Sequence, residues 1–358
     1  ALSGMQVGFF LGWFRYGLLR LGLPKNYILA ILLPFSIFYS LMTGWTASVL
    51  RSLIQSLLAE CGIKKLNNMG ITLLLLFLVL PHFLLTVGGV LSCSYAFLLC
   101  LFDFEEMPSF KKSIYMSLVL SLGTLPFLTY YYGTFQPLSL ILTAIFSLVF
   151  DSFLLPILTV LFTLSGLVIF SQINPLFEWM ETFLTWIQYW IGQPLILGKP
   201  SLFQFGLMIV VLVLLFDFWK KPQFRICLLM IFGLLMVWVK HPLTNEVTMV
   251  DVGQGDSIFL RDWKGKNVLI DVGGREEIRT KEVWQKRAIS SNAEKILIPY
   301  LKSRGVDTID TLVLTNPNPD YAGDVLEVAK KFAIKKIYIA RSSLSNADFL
   351  EKLRKIIF

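Results

Sequence analysis

The sequence predicts a polytopic α-helical membrane bundle followed by a soluble α/β domain, and three observations carry that expectation. Hydrophobic residues make up 55% of the chain, the mean hydropathy is +0.67, and the apolar residues come in long blocks, as bilayer spans do. Charge is unevenly spread: residues 1–240 hold 21 charged side chains, whereas the 118 residues from 241 onward hold 35. Beyond that break, at Lys240-His241-Pro242, short alternating strands and helices replace the apolar blocks. The expected division is therefore a membrane domain, 1–240, and a soluble domain, 241–358.

In order along the chain, about ten membrane segments are expected, at roughly 5–19, 28–43, 46–59, 69–87, 90–102, 114–131, 137–151, 154–170, 203–219 and 226–239. Several fall short of the ~20 residues that cross ~30 Å of hydrocarbon. Re-entrant or broken helices are expected among them, with Gly44, Gly88-Gly89, Pro126, Pro156 and Gly166 as break points. Between the eighth and ninth segments, 174–198 carries Trp179, Trp186 and Trp190 beside Glu178 and Glu181. That pattern fits a helix lying in the membrane interface, or equally a loop helix packed on the bundle. Alternate short loops collect Arg20/Lys25, Lys64/Lys65, Lys111/Lys112 and Lys220/Lys221/Arg225. Facing those loops to the cytoplasm leaves the soluble domain on the extracytoplasmic side.

The four cysteines lie in or beside apolar segments and form no CxxC pair, so they read as reduced thiols. No cleavable signal peptide is evident, and the sequence reads as a piece cut at both ends, its α/β domain truncated at the C-terminus.

In the soluble part, Glu246–Asp251, Ser257–Asp262 and Asn267–Asp271 read as strands, with Asp262 to Lys266 as the hairpin turn. A helix follows from Asn292 to Arg304, then a strand Thr311–Leu314, a helix from about Gly323 to Phe332, a strand Lys335–Ile339 and a helix from about Asn346. This order suits a layered sandwich.

Two motifs stand out there. Asp251-Val252-Gly253-Gln254-Gly255-Asp256-Ser257 precedes Leu269-Ile270-Asp271-Val272-Gly273-Gly274, and glycines set among carboxylates let the backbone turn tightly and gather acidic groups at one sheet edge. The second is Leu312-Val313-Leu314-Thr315-Asn316-Pro317-Asn318-Pro319-Asp320-Tyr321-Ala322-Gly323-Asp324. Together they resemble the metallo-β-lactamase fold, an αββα sandwich, in the version that ends ComEC-type competence proteins. The string DVGQGDS matches that family letter for letter. Near the start, Ser3-Gly4-Met5-Gln6-Val7-Gly8 resembles the family's SGLH-[VI]-G stretch, with Gln6 where His is usual, and Thr43-Gly44 through Ser48 to Arg51 resembles its TG-x3-S-x2-R segment.

That resemblance implies a channel carrying single-stranded DNA across the bacterial cytoplasmic membrane in natural transformation. It also implies partners: a DNA receptor, a separate nuclease and a cytoplasmic ATP-driven motor. No Walker A motif occurs in the chain. In the family the metal loop presents a His, a second ligand two residues on, and an Asp-His pair. Here those positions are Asn316, Asn318, Asp320 and Tyr321, and the chain's two histidines, His82 and His241, lie elsewhere. Asparagine and tyrosine are poor ligands for such ions, so no catalytic residue is expected. Asp256, Asp271 and Asp320 are then remnants, and a divalent metal (Mn or Zn) would bind only weakly through Asp256, Asp271, Asn318 and Asp320.

Arg51 sits inside an apolar stretch, where an unpaired charge costs ~2.5–3.5 kcal/mol or more. It is expected to face a wet path or a partner, and with Gln6, Thr43, Gly44 and Ser48 it is the candidate DNA path; snorkelling or a bond to a carbonyl is the plainer alternative. Tyr130-Tyr131-Tyr132 could stack bases or form part of an aromatic belt. The run Arg275, Arg279, Lys281, Trp284, Lys286 and Arg287 could track phosphates, although Glu276, Glu277 and Glu282 dilute it and a solvated loop has the same composition. Two rival functions remain open: a membrane-tethered nuclease or hydrolase, and a transporter of another anionic substrate.

Overall fold

The apolar blocks of the first 240 residues fold as helices. The structure, a computed structural model, describes residues 4–101, 109–164, 174–219, 221–242, 244–274 and 291–357. It divides into two units, Ala1–Leu125 with Gln136–Gln193, and Pro126–Phe135 with Pro194–Phe358.

The first unit holds α1 (Gly4–Arg20), α2 (Lys25–Met42), α3 (Ala47–Glu60), α4 (Lys65–Val79), α5 (Val87–Leu101), most of α6 (Ser109–Tyr132), α7 (Ser139–Val149), α8 (Leu155–Leu164) and α9 (Asn174–Ile191). Helix α3 is shared between two apolar clusters. Val49 and Leu53, four residues apart and so on one face, pack with Val7, Leu11, Ile28 and Leu32 of α1 and α2. Leu50, one residue on, turns to Met69, Leu76, Cys93 and Ala96 of α4 and α5.

Two expectations are corrected. The segment expected at 69–87 ends as α4 at Val79, because Pro81 disfavours helix at the residue before it, and a 3₁₀ turn at Phe83–Leu85 leads into α5. Over the described residues 139–164, the segments expected at 137–151 and 154–170 are one unbroken helical run, joined by a π turn at Phe150–Leu154; residues 165–170 of the second lie outside the described residues. Pro156 is the second residue after that turn; it lacks the N–H for an i→i−4 bond, and the widened turn just before it accommodates the loss without breaking the helix. Among the described residues, two helices are long and apolar enough to cross a membrane, Ile114–Tyr132 and Pro222–Lys240, and five further apolar helices have 10–17 residues. At 1.5 Å per residue a 15-residue helix is only ~23 Å long, short of the ~30 Å core.

The second unit opens with the last turns of α6. Gly133 then takes a left-handed turn, and β1 (Thr134–Phe135) pairs antiparallel with β2 (Leu195–Ile196). Helix α10 (Leu202–Asp217) starts from a capping box made by Ser201 and Gln204. Helix α11 (Pro222–Lys240) starts with Pro in its first turn. Phe127 and Tyr130 of α6 pack on Phe205 of α10, with ring centroids 5.4 and 5.2 Å apart.

The α/β domain then runs β3 (Glu246–Met249), β4 (Ile258–Arg261), β5 (Asn267–Ile270), a π turn (Ala293–Leu297) into α12 (Ile298–Ser303), β6 (Thr308–Ile309), β7 (Thr311–Leu314), α13 (Pro319–Ala322), α14 (Val325–Lys331), β8 (Ala333–Ile334), β9 (Ile337–Ile339) and α15 (Ala347–Ile357). The five-stranded sheet has the order β3-β4-β5-β7-β9, antiparallel through β5 and parallel after it; β6 and β8 form a separate parallel pair. Strand alternation decides its two faces. Phe259, Leu269, Leu312 and Leu314 are buried against Leu297, Leu301, Val325, Val328 and Phe349 of the helices. The opposite face presents Val247, Met249, Ile258, Leu260, Val268, Ile270, Val313 and Tyr338, none of them buried, with Val247 73% and Met249 81% exposed. Two of the four layers of the expected αββα sandwich, a sheet and its helices, are thus present among the described residues.

Candidate functional site

At the carboxyl ends of β3, β5 and β7 three loops meet: Asp251–Ser257, Asp271–Gly274 and Thr315–Asp324. Glycine makes their closeness possible. A Cβ on Gly255 would lie 1.6 Å from the Asp320 carbonyl oxygen, and Gly255 has φ +79°. A Cβ on Gly274 would lie 2.4 Å from the Pro319 carbonyl oxygen. The loops are therefore packed backbone on backbone, and any side chain at either position would force them apart.

Hydrogen bonds tie the same loops. Asp271, 4% exposed and left-handed at φ 54°, accepts at one carboxylate oxygen from the Thr315 N–H (2.8 Å) and at the other from the Thr315 hydroxyl (2.6 Å). Its own N–H donates to the Val313 carbonyl, and its carbonyl accepts from Ser257 Oγ at 3.0 Å. The Val272 N–H donates to the Tyr321 carbonyl, and the Asp324 N–H to the Gly273 carbonyl. Asp324 Oδ2 accepts from the Ala293 N–H at 2.8 Å; burial raises its carboxyl above the usual range, and that hydrogen bond only partly offsets the effect. Asn292 Nδ2 donates to the Val252 carbonyl at 2.8 Å.

The four positions of the expected metal loop are occupied otherwise. Asn316 Oδ1 accepts from the Asn318 N–H at 3.1 Å, an Asx turn. Asp320 Oδ1 accepts from Gln254 Nε2 at 2.9 Å, so the DVGQGDS loop itself takes this oxygen. Tyr321 is half-buried and serves through its backbone. Asp256 is exposed on the first loop. Among the described residues no group of three His, Cys, Asp or Glu converges on a point where a metal ion could sit. A di-metal centre needs several imidazoles and carboxylates with free lone pairs, and this donor set does not fit one. What the site offers is a rigid, hydrogen-bonding rim. Gln254, Thr315 and Asp324 stand inside the two sequence motifs and Asn292 at the start of the expected helix, but the sequence alone assigns none of them a part in building the rim. Arg279, Lys281, Trp284, Lys286 and Arg287 lie outside the described residues.

In the first unit, Arg51 is half-buried on α3. Its Nε donates to Ser92 Oγ of α5 at 2.7 Å and its Nη1 to Gln55 Oε1 at 2.6 Å. Gln55 continues the network: its Nε2 donates toward Met69 Sδ at 3.1 Å, and its carbonyl accepts from Asn68 Nδ2 at 2.8 Å. Thr72 Oγ1 donates to Asn68 Oδ1 at 3.2 Å. No carboxylate lies within ion-pair distance of Arg51 among the described residues. Thr43 and Gly44 are engaged elsewhere. Thr43 Oγ1 bonds back to the Tyr39 and Ser40 carbonyls, and Gly44, at φ +72°, forms the left-handed end of α2. Gln6 and Ser48 are neither fully buried nor without partners. Nearby, Arg15 Nε lies 2.6 Å from Glu60 Oε1, an ion pair without hydrogen-bond alignment. Gln55, Asn68 and Ser92 could have been suspected as isolated polar residues on apolar helices.

Comparison with known proteins now bears on both regions. Residues 1–222 match the profile of the family described as Competence protein, and residues 250–354 match the Metallo-beta-lactamase superfamily. The ComE operon protein 3 of Bacillus subtilis (strain 168) is 27% identical over 368 residues, a match that covers 96% of this chain and 47% of that protein. The chain thus spans about half the length of the curated relative it matches. With most of its length inside the first profile, the chain belongs to the competence-protein family, a helical region followed by a metallo-β-lactamase-superfamily domain.

Proposed function

We propose that this chain is a multi-pass component of the bacterial cytoplasmic membrane that passes one strand of DNA inward during natural transformation, with its α/β domain on the extracytoplasmic side. The observation that carries this reading is Arg51. A guanidinium among apolar helices is met by two neutral acceptors, Ser92 and Gln55, and by no carboxylate among the described residues. Its charge therefore stays uncompensated, and a phosphate backbone is a polyanion that Arg can grip through two donors at any physiological pH. Family membership points to the same process. The shorter helices, between 10 and 17 residues, suit a bundle that shelters polar groups rather than a simple anchor.

The α/β domain acts in this reading as a structural or DNA-guiding module, without metal-dependent hydrolysis. A separate nuclease would then degrade the other strand, a receptor would deliver DNA, and an ATP-driven motor in the cytoplasm would pull.

The test replaces Arg51 by Ala, Gln and Lys in cells and follows DNA uptake together with the amount of protein in the membrane. Uptake is expected to fall tenfold or more for Ala and Gln at unchanged protein level; wild-type uptake by Arg51→Ala would sink the reading. Calorimetry of the whole chain with Mn²⁺ or Zn²⁺ is expected to give no tight binding, and a tight site would restore the hydrolase as the leading function.

A further inference from the structure

Within the second unit, the end of α6 and the α/β domain enclose a cleft of about 430 Å³ that neither the metal-loop rim nor the Arg51 cluster uses. Its walls come from three places. Tyr131 and Tyr132 close α6, Lys199 precedes α10, and Lys302 and Lys331 end α12 and α14. The walls are fixed by backbone. The Lys199 N–H donates to the Ser303 carbonyl at 2.6 Å, and the Leu197 and Gly198 N–H groups both donate to the Gly133 carbonyl. At Gly133 a Cβ would approach the Lys302 carbonyl oxygen to 3.0 Å, so the α6 end and α12 are in close contact there.

The chemistry of the lining is lopsided. Three lysines face one carboxylate, Glu294, and none of the three lysines has an ion pair among the described residues. Lys199 Nζ instead stands 4.8 Å from the centre of the Tyr130 ring. Burial, and then the neighbouring charge of Lys331, hold the Lys302 ammonium below the usual lysine range. Cations gathered in this way are short of an anion. Tyr132, 55% exposed, offers a ring face beside them. Lysines from separate elements plus an exposed aromatic ring is the composition that binds single strands, with cations on the phosphates and a ring under a base. The volume lies within the ~300–1,000 Å³ of small-molecule sites, enough for a nucleotide-sized piece of such a strand.

We propose that this cleft binds single-stranded DNA, with Lys199, Lys302 and Lys331 on successive phosphates and Tyr132 stacked on a base. The assignment rests on the DNA-transport reading and gives the strand a specific contact on the α/β side of the membrane helices.

The experiment uses the whole chain in nanodiscs and a fluorescent oligothymidylate, with anisotropy read across a series of KCl concentrations. Wild type is expected to bind with strong salt dependence. The Lys302→Gln/Lys331→Gln double variant is expected to bind more weakly, with the log–log salt slope shallower by about 1.4, about 0.7 for each lost phosphate contact. Tyr132→Ala is expected to weaken binding about fivefold or more. The conservative Lys302→Arg/Lys331→Arg pair should restore the slope. The exposed pair Lys199→Gln/Lys331→Gln repeats the test without touching half-buried Lys302, so a folding defect does not decide the outcome. Wild-type binding with unchanged slope and affinity in both Gln pairs overturns the cleft and leaves the transport reading standing. Absence of wild-type binding at low salt overturns both. Gln pairs that change only retention on phosphatidylglycerol vesicles would identify a lipid headgroup as the ligand and overturn the proposal.

Discussion

In the α/β domain, Glu246 and Asp310 meet partners of opposite charge; in the α3–α5 cluster, Arg51 meets none among the described residues. Glu246 accepts from the Tyr300 hydroxyl and from Arg304 Nε, both at 2.9 Å. Burial pushes its carboxyl up, but the bonds from Arg304 and Tyr300 outweigh that and hold it below the usual range. Asp310 likewise takes Lys335 Nζ at 2.6 Å and the Asn267 N–H at 2.9 Å. Among the described residues, Arg51 bonds a serine hydroxyl and a glutamine side-chain carbonyl. Glu246 and Asp310 are neutralised in place, and a buried ion left unpaired costs several kcal/mol.

That contrast can be broken or sharpened by substitution. The largest effect is expected at Gly255→Ala, whose Cβ has no room against the Asp320 carbonyl. A loss of about 3 kcal/mol or more in the stability of the α/β domain should appear in denaturant melts. Asp271→Ala comes next, at about 2–3 kcal/mol, because the Thr315 N–H loses its acceptor and a left-handed backbone position passes to a residue that resists it. Arg51→Gln should change helical stability by less than about 1 kcal/mol while uptake collapses; a large loss of stability with proportionate loss of uptake would place Arg51 among the structural charges and erase the contrast. The smallest effect is a pH dependence. The carboxyl of Glu246 is depressed in the folded state, so its contribution is present above its unfolded pKa of about 4.3 and is lost as pH falls through the lower folded value. Melts of wild type should therefore worsen below about pH 4, and Glu246→Gln should flatten that acid limb.

The strands of the α/β domain were legible because alternation and glycine-bearing turns are local signals; β4, β5 and β7 fall within a residue or two of their expected bounds. The departures from the family's metal loop at Asn316, Asn318 and Tyr321 are plain in the sequence, since they are matters of residue identity. The π turn at Phe150–Leu154 was not, because apolar residues on both sides look the same whether a helix stops or widens. Nor was the role of Asp271. It reads as a catalytic remnant in the sequence, and only its contact with Thr315, 44 residues on, reveals a tether. Of the Arg51 partners, Ser92 escaped for the same reason, being 41 residues away, whereas Gln55 lies one helical turn on.

The small β1–β2 ladder sets a rule for topology. Phe135 sits opposite Leu195, so the excursion of residues 136–193 departs and returns at adjacent points. Two ends stapled at one depth cannot emerge on opposite faces of a bilayer. If the helices cross a bilayer as proposed, that stretch crosses it an even number of times, and reporters fused near residues 136 and 193 are expected in the same compartment.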